Sequence, residues 1–352
     1  MQAGCVQEYA TFKDKHPEWQ IGQGHPYGQP TSLNFAVPEV RALKFAVIQE
    51  LFEKYDFDGL EIDFLRSPPF FIPGTEPENA GILTDFLREV REHLDQRGRP
   101  IELAARVDET LEACRLDGFD VATWMKEGLV DVLILGSGVM DMEVEAFKRL
   151  AQGTAVLIYP CLYGWPSKYM PISVEMARGL AANYWYQGAD GLYLFNWFPN
   201  EPDKAYQISL LKEIGDPNAL RGKPMMFAAD RRPRPMREYP HNWMHCVLPA
   251  QLSEGKAVHV PILVGDDLSA ASPSRLELRL ACANLAADRL GFAFNGQPLA
   301  EQKRSPTLIT VSLTPSQVRL GKNVLTVTLV SRAPQAQGAL TLEAAEIHAG
   351  HG

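Results

Sequence analysis

The sequence predicts an α/β chain: a (β/α)8-type barrel that is incomplete, with five strands visible, followed by a C-terminal all-β sandwich. Three observations predict it. Between residues 36 and 217 short apolar runs alternate with helical patterns, the texture of parallel βα units. The runs, at 60–65, 101–107, 131–135, 155–159 and 191–196, recur at roughly the 30 residues per unit that a barrel spends. From residue 236 onward the pattern changes to period-two strands with no helix between them.

Each element has a local reason. "VPEVRALKFAVIQELFEKY" reads as a helix with Pro38 in its first turn, feeding the strand 60–65. A Pro/Gly-rich loop leads to the helix "AGILTDFLREVREHLDQRG", which Gly98 closes, and then to the strand "IELAARV". Two short helices, around "TLEACRLDG" and "DVATWMKEG", precede the strand "VDVLILG". "MEVEAFKRLAQG" is helical before "TAVLIYPCL", and "SVEMARGLAANYWYQGA" is helical before "DGLYLFNWF". An open, doubly wound sheet competes with the barrel, but no G-x-G-x-x-G follows any strand. Beyond residue 236, runs such as "KAVHVPILV", "RLELRLACA" and "NVLTVTLV" alternate strictly, and Asn295-Gly296 signals a hairpin turn.

These patterns divide the chain into a loop-rich segment 1–35, a barrel portion 36–217, a linker 218–235 containing most of the basic stretch "DRRPRPMREYP", and a sandwich 236–352. A closed barrel needs eight strands, and residues 1–35 do not read as three more. Either the barrel stays incomplete, another chain completes it (a homodimer would do so), or the sequence is a shortened form of a longer protein.

Composition narrows the function. The formal net charge of −9 argues against a nucleic-acid partner, which needs a basic face. No apolar run is long enough to span a bilayer, so no membrane is expected. "MQAGCVQEYATFKDKHPEW" lacks the basic start and apolar stretch of a signal peptide, which leaves compartment open: cytoplasmic as it stands, secreted or periplasmic if truncated. The five cysteines are far apart, His16, His25 and His93 show no metal-ligand spacing, and His241 and His245, four apart in "HNWMH", lack the Glu of a zincin helix, so neither a metal nor a cofactor is predicted.

Barrel enzymes carry their chemistry at the C-terminal ends of the strands. Those ends hold Asp63 with Arg66 just beyond, Arg106 followed by Asp108 and Glu109, the loop containing Asp141, then Tyr159 with Tyr163 and Trp165 in the following loop, and Asn196 with Trp197. Glu61 lies one pleat deeper than Asp63 on the same side of its strand. Carboxylates suit proton transfer or nucleophilic attack, aromatic rings suit sugar C–H faces, and Arg or Asn suits hydroxyls or acidic groups. The catalytic candidates are therefore Asp63, Glu109, Asp108 and Glu61. The substrate-binding candidates are Arg66, Arg106, Tyr159, Tyr163, Trp165, Asn196 and Trp197. Bland alternatives stand beside them: Asp63 in an ion pair with Arg66 or Arg106, Glu61 as a structural partner of Arg106, Asp108 as a helix N-cap, Trp124 as core.

"YDFDGLEIDFLRSPPFF", "RVDETLEACRLDGFDVATWMKEGLVDVLILG" and "GADGLYLFNWF", with "HPEW" and "LNFAVPEVR" upstream, resemble the glycosyl-hydrolase-like proteins called family-10-like. The resemblance covers roughly residues 10 to 215. It implies a barrel whose fourth to eighth strands are the five seen, an acid at Asp63 and an arginine at Arg66; it names no substrate. The expectation is a glycoside hydrolase acting on a poly- or oligosaccharide through paired carboxylates, Asp63 with Glu109, Asp108 or Glu61, the arginines hinting at an acidic sugar. Two alternatives remain: a non-catalytic carbohydrate-binding protein on a degenerate barrel, and an assembly protein that completes its barrel by dimerisation.

Overall fold

The computed structural model describes residues 12–22, 31–66, 68–136, 138–164, 169, 171–197, 204–232, 241, 244–301 and 303–351, the side chains of 12, 204 and 206 excepted. In chain order the helices are α1 (Phe12–Lys15), α2 (Pro38–Lys54), α3 (Ala80–Asp95), α4 (Leu111–Leu116), α5 (Val121–Lys126), α6 (Val144–Leu150), α7 (Val174–Tyr186), α8 (Lys204–Ile214), α9 (Pro217–Leu220) and α10 (Leu268–Ala271). The first six strands are β1 (Gly59–Asp63), β2 (Glu102–Val107), β3 (Val132–Leu135), β4 (Leu157–Tyr163), β5 (Tyr193–Phe195) and β6 (Met225–Ala228). The rest are β7 (Ala250–Gln251), β8 (Ala257–Val264), β9 (Arg275–Ala283), β10 (Arg289–Phe294), β11 (Gln297–Leu299), β12 (Lys303–Arg304), β13 (Leu308–Ser312), β14 (Gly321–Ser331) and β15 (Thr341–Gly350).

The fold is α/β, an incomplete barrel sheet followed by a β-sandwich. β1 to β5 join in sequence order in one parallel sheet, and the later strands form a four-stranded sheet (β11-β10-β14-β8) and a six-stranded one (β12-β13-β9-β15-β6, with β7 on β15). The chain divides into two compact units: Met1–Leu133, Leu150–Val156 and Arg237–His241 in one, and Ile134–Arg149, Leu157–Met236 and Asn242–Gly352 in the other.

In the first unit, α3 places Leu83, Phe86, Leu87, Val90 and Leu94 at helical spacing and buries all five. Phe64, just past β1, meets the rings of Phe70 (5.4 Å), Phe119 (5.4 Å) and Trp124 (5.7 Å). Trp124 is fully buried, and its indole N–H donates to Thr84 Oγ1 at 2.9 Å, so it is core. Asp131 holds the start of β2 by accepting from the Leu103 N–H (2.7 Å) and from Arg91 (3.1 Å).

In the second unit, α7 starts at the Ser173 cap and presents a run of small residues. A Cβ at Gly179 would lie 2.1 Å from the Met226 carbonyl oxygen, and one at Gly265 would lie 2.4 Å from that of Ala182. The Gly265 N–H donates to Asn183 Oδ1 at 2.7 Å. Within the stretch 218–235, read from sequence as a linker, "MMFA" therefore forms β6, buried throughout and paired with β15. Of the basic run 230–240, residues 233–240 lie outside the described residues. Asn295 (φ 52°) and Gly296 (φ 83°) form the expected left-handed hairpin turn between β10 and β11.

Gly179→Ala is expected to lower the melting temperature by roughly 5 °C or more, because the backbone carbonyl it meets has no rotamer to change. A calorimetric scan showing an unchanged transition would refute the close approach of α7 and β6.

Candidate functional site

β1 and β2 pair in parallel with Glu61 opposite Ala104 and Asp63 opposite Arg106. Alternation puts Glu61, Asp63, Ala104 and Arg106 on one face, and Leu60, Ile62, Leu103 and Ala105 on the other. Arg106 is 1% exposed, so its guanidinium needs a counter-charge. It finds Asp63 in a two-pronged pair, Nε donating to Oδ1 at 2.9 Å and Nη2 to Oδ2 at 2.5 Å. Asp63 Oδ1 also accepts from the Leu65 N–H at 2.9 Å, fixing the turn after the strand. The carboxylate still reaches solvent, with its side chain 31% exposed. Glu61 and Arg66 are exposed.

The two acids after β2 are placed differently. Asp108 is 0% exposed and Glu109 is 1% exposed. The cap of α4 is Thr110, whose hydroxyl accepts from the Ala113 N–H at 3.0 Å, so Asp108 is not that N-cap. Asp108 instead belongs to a buried group with Asp117, Cys114 and His241. Burial first, then the charge of Asp117, pushes the Asp108 carboxyl well above the usual carboxylate range. Burial likewise lowers His241, which contacts Asp117 through Nδ1, and raises the Cys114 thiol. Sequence reasoning missed this group, since Asp117 and His241 are 124 residues apart with no motif joining them.

In the second unit, β4 runs to Tyr163, four residues beyond the expected end at 159. Tyr159 is therefore inside the strand and Tyr163 is its last residue rather than part of a loop. β4 contains Pro160, but it pairs with β5 only beyond that residue, from Cys161 to Tyr163, so the missing N–H breaks none of those bonds. Tyr159, Tyr163, Asn196 and Trp197 are half-buried. Asn196 takes the left-handed φ of 48°, and a Cβ on Gly164 would lie 2.7 Å from its carbonyl oxygen, so the chain after β4 crosses tightly over the end of β5. Trp165 lies outside the described residues.

Asp141, in the loop after β3, sits beside Asp230: its Oδ2 accepts from the Asp230 N–H at 3.4 Å, and Asp230 accepts from the Met140 N–H at 2.7 Å. Burial, and then the charge of Asp230, pushes Asp141 up to about 7. Among the described residues no group of three or more His, Cys, Asp or Glu is arranged to hold a metal ion, and no helix is long and apolar enough to cross a membrane. In the first unit a cleft of about 360 Å³, lined in part by Pro77, Leu111, Phe119 and Leu150, includes none of the candidate residues.

The Asp141 shift has a testable consequence. Between the unfolded value near 4 and about 7 the folded chain binds the extra proton, so this carboxyl makes stability fall as pH rises through that window. Asp141→Asn is expected to match the wild-type melting temperature at pH 4.5 and to exceed it by roughly 4 °C at pH 8. A difference that does not change with pH would contradict the assignment.

No protein-family model and no curated protein matches the sequence. Among solved structures, the chain is similar to a cell-surface multi-modular chitinase from Paenibacillus sp. str. FPU-7 (10% identity, TM-score 0.38), over 88% of this chain and 44% of that one. It thus spans less than half the length of that enzyme. It is also similar to a family GH18 chitinase from Chromobacterium violaceum (10%, TM-score 0.31, 85% and 70% covered). A third is a β-porphyranase of glycoside hydrolase family 86 from Bacteroides plebeius (9%, TM-score 0.24, 78% and 74% covered). All three are glycoside hydrolases, and at TM-scores below 0.5 they carry no argument about what this chain does.

Proposed function

We propose that this protein is a glycoside hydrolase that cleaves a poly- or oligosaccharide at the C-terminal end of β1, with Asp63 and Glu61 as its carboxylate pair. The observation that carries the proposal is the contrast in access: Asp63 and Glu61 reach solvent on one strand face, while Asp108 and Glu109 are sealed. Successive residues on one face of a strand stand about 6.6 Å apart, which leaves room for a water between their carboxyls, as inverting hydrolysis requires. Arg106 and the Leu65 N–H occupy Asp63 Oδ1, and Arg106 alone occupies Oδ2. One acceptor position on Oδ2 therefore remains for a water or a sugar hydroxyl. On this reading Asp63 is the base member, oriented by Arg106, and Glu61 is the acid member.

The pairing also bears on the substrate-binding candidates. Arg106 acts through Asp63 as a positioning residue, and Arg66 is the cation left at the surface of this strand end. Sugar contact is assigned to the barrel portion rather than to the β8–β10–β14 face of the sandwich. The solvent side of β8, β10 and β14 carries Ala257, His259, Pro261, Ala293, Val324 and Thr326, with no ring to stack on a sugar apart from that imidazole.

The burial of Asp108 and Glu109 also favours a second reading, a carbohydrate-binding protein without catalysis, should Glu61 fail as the second acid. The two readings separate on a panel of polysaccharides assayed for reducing ends. Asp63→Asn and Glu61→Gln are each expected to lower hydrolysis about 100-fold or more while binding persists. Wild-type binding with no hydrolysis would leave the non-catalytic reading standing, and full activity in Asp63→Asn would remove Asp63 from the mechanism.

A further inference from the structure

Asn295-Gly296, at the tip of the β10–β11 hairpin, is a dipeptide with a chemistry of its own. No other asparagine in the chain precedes a glycine. A glycine amide nitrogen has no neighbouring Cβ to shield it, so it can reach the asparagine Cγ. In that attack solvent base takes the Gly296 amide proton, and a bond forms between the Gly296 nitrogen and Asn295 Cγ. The bond from Cγ to Nδ2 breaks, and Nδ2 takes a proton from solvent and leaves as ammonia. Water then opens the resulting succinimide at either carbonyl, giving aspartate or isoaspartate. In an unfolded chain nothing opposes this reaction.

The folded hairpin engages the reacting carboxamide through both of its heavy atoms. Nδ2 donates to the Gln317 carbonyl oxygen at 2.9 Å and to Asn323 Oδ1 at 2.8 Å. Oδ1 accepts from the Val324 N–H at 3.0 Å, and the Asn295 N–H donates back to the Val324 carbonyl at 2.9 Å. Asn323 is fully buried and fixed in its turn. Its Oδ1 also accepts from the Arg319 N–H at 2.8 Å, and its Nδ2 donates to the carbonyls of Arg319 (2.8 Å) and Gly321 (3.0 Å). The leaving nitrogen thus shares its two protons with two fixed acceptors. Attack requires Cγ to swing toward Gly296 and all three side-chain bonds to break.

We infer that Asn295 is a latent deamidation site, silent in the folded sandwich and opened by unfolding, whose product the hairpin does not readmit. Isoaspartate routes the main chain through the former side chain. That adds a backbone carbon to a two-residue turn whose φ angles, 52° and 83°, match the β10–β11 register. Either product also replaces the NH2 by a carboxylate oxygen, which donates nothing. The Gln317 carbonyl and Asn323 Oδ1 then face a negative acceptor instead of a donor. Deamidation therefore makes unfolding irreversible, and position 295 records how long the chain has been open. This holds whether or not the protein is a hydrolase.

The test holds the full chain at mildly alkaline pH, one sample native and one in urea. Peptide mass spectrometry with electron-transfer fragmentation reads position 295, because it separates aspartate from isoaspartate. Modification is expected to be at least about tenfold slower in the native sample, and a smaller difference would overturn the inference. Urea samples withdrawn over time are diluted and compared with one diluted at once. The fraction regaining the native melting transition should fall in step with the fraction modified at 295. A urea hold at mildly acidic pH, where base does not activate the glycine amide, should leave both position 295 and refolding intact. Asn295→Gly, which keeps the left-handed turn and has no carboxamide to lose, should refold after the alkaline hold; if it folds poorly, the acidic and alkaline holds of the wild type decide. Should even the chain diluted at once fail to refold, a long native hold decides, since molecules modified at 295 should collect in the fraction that brief trypsin treatment digests. Refolding that ignores the modified fraction, refolding lost in the acidic hold, or modified molecules as trypsin-resistant as the rest would each overturn the inference.

Discussion

A buried guanidinium sets the terms for the first unit. Arg106 is almost fully withdrawn from water, and an unpaired charge there would cost several kcal/mol. The β1–β2 register meets that demand by placing Asp63 directly opposite. A slip of one residue would turn Asp63 to the side of Leu103 and Ala105, leaving Arg106 against a hydrocarbon neighbour. The alignment of the strands and the orientation of the candidate base are thus one constraint. Asp63 holds one fixed geometry at a solvent-reached position because two nitrogens of Arg106 and the Leu65 N–H bind its carboxylate.

Access then separates acids that look equivalent in the sequence. Asp63, Asp108 and Glu109 all follow strand-like runs, yet one sits at the surface and two sit in the interior. In the group of Asp108, Asp117, Cys114 and His241, burial favours the protonated form of the Asp108 carboxyl and of the Cys114 thiol, which suits a packed interior and keeps Asp108 from the reach of a substrate.

Much of this was legible in the sequence. The five apolar runs became β1 to β5 because buried parallel strands need near-continuous hydrophobicity, and the alternating runs became the sandwich because each strand there has one buried face. Two features were harder. "MMFA" is four residues in a polar, basic setting, and nothing local distinguishes a short strand from a linker; its partner, β15, is more than a hundred residues away. The range 155–159 stops short of β4, which runs to Tyr163 and pairs with β5 only over its last three residues. For the site, the shared face of Glu61 and Asp63 follows from period two alone. Which arginine pairs with Asp63 and which acids are sealed depend on neighbours brought in by the fold, and residue types do not carry that information.

The claim at the centre is that the acids of β1 meet water while those after β2 do not. Carbodiimide activation of the native protein in the presence of glycine ethyl ester, followed by peptide mass spectrometry, reads this directly, because only a carboxyl that the reagent reaches becomes an amide. Adducts on Asp63 and Glu61, with Asp108 and Glu109 unmodified until the chain is unfolded, are the predicted pattern. Modification of Asp108 or Glu109 in the folded protein, with Asp63 protected, would contradict the account.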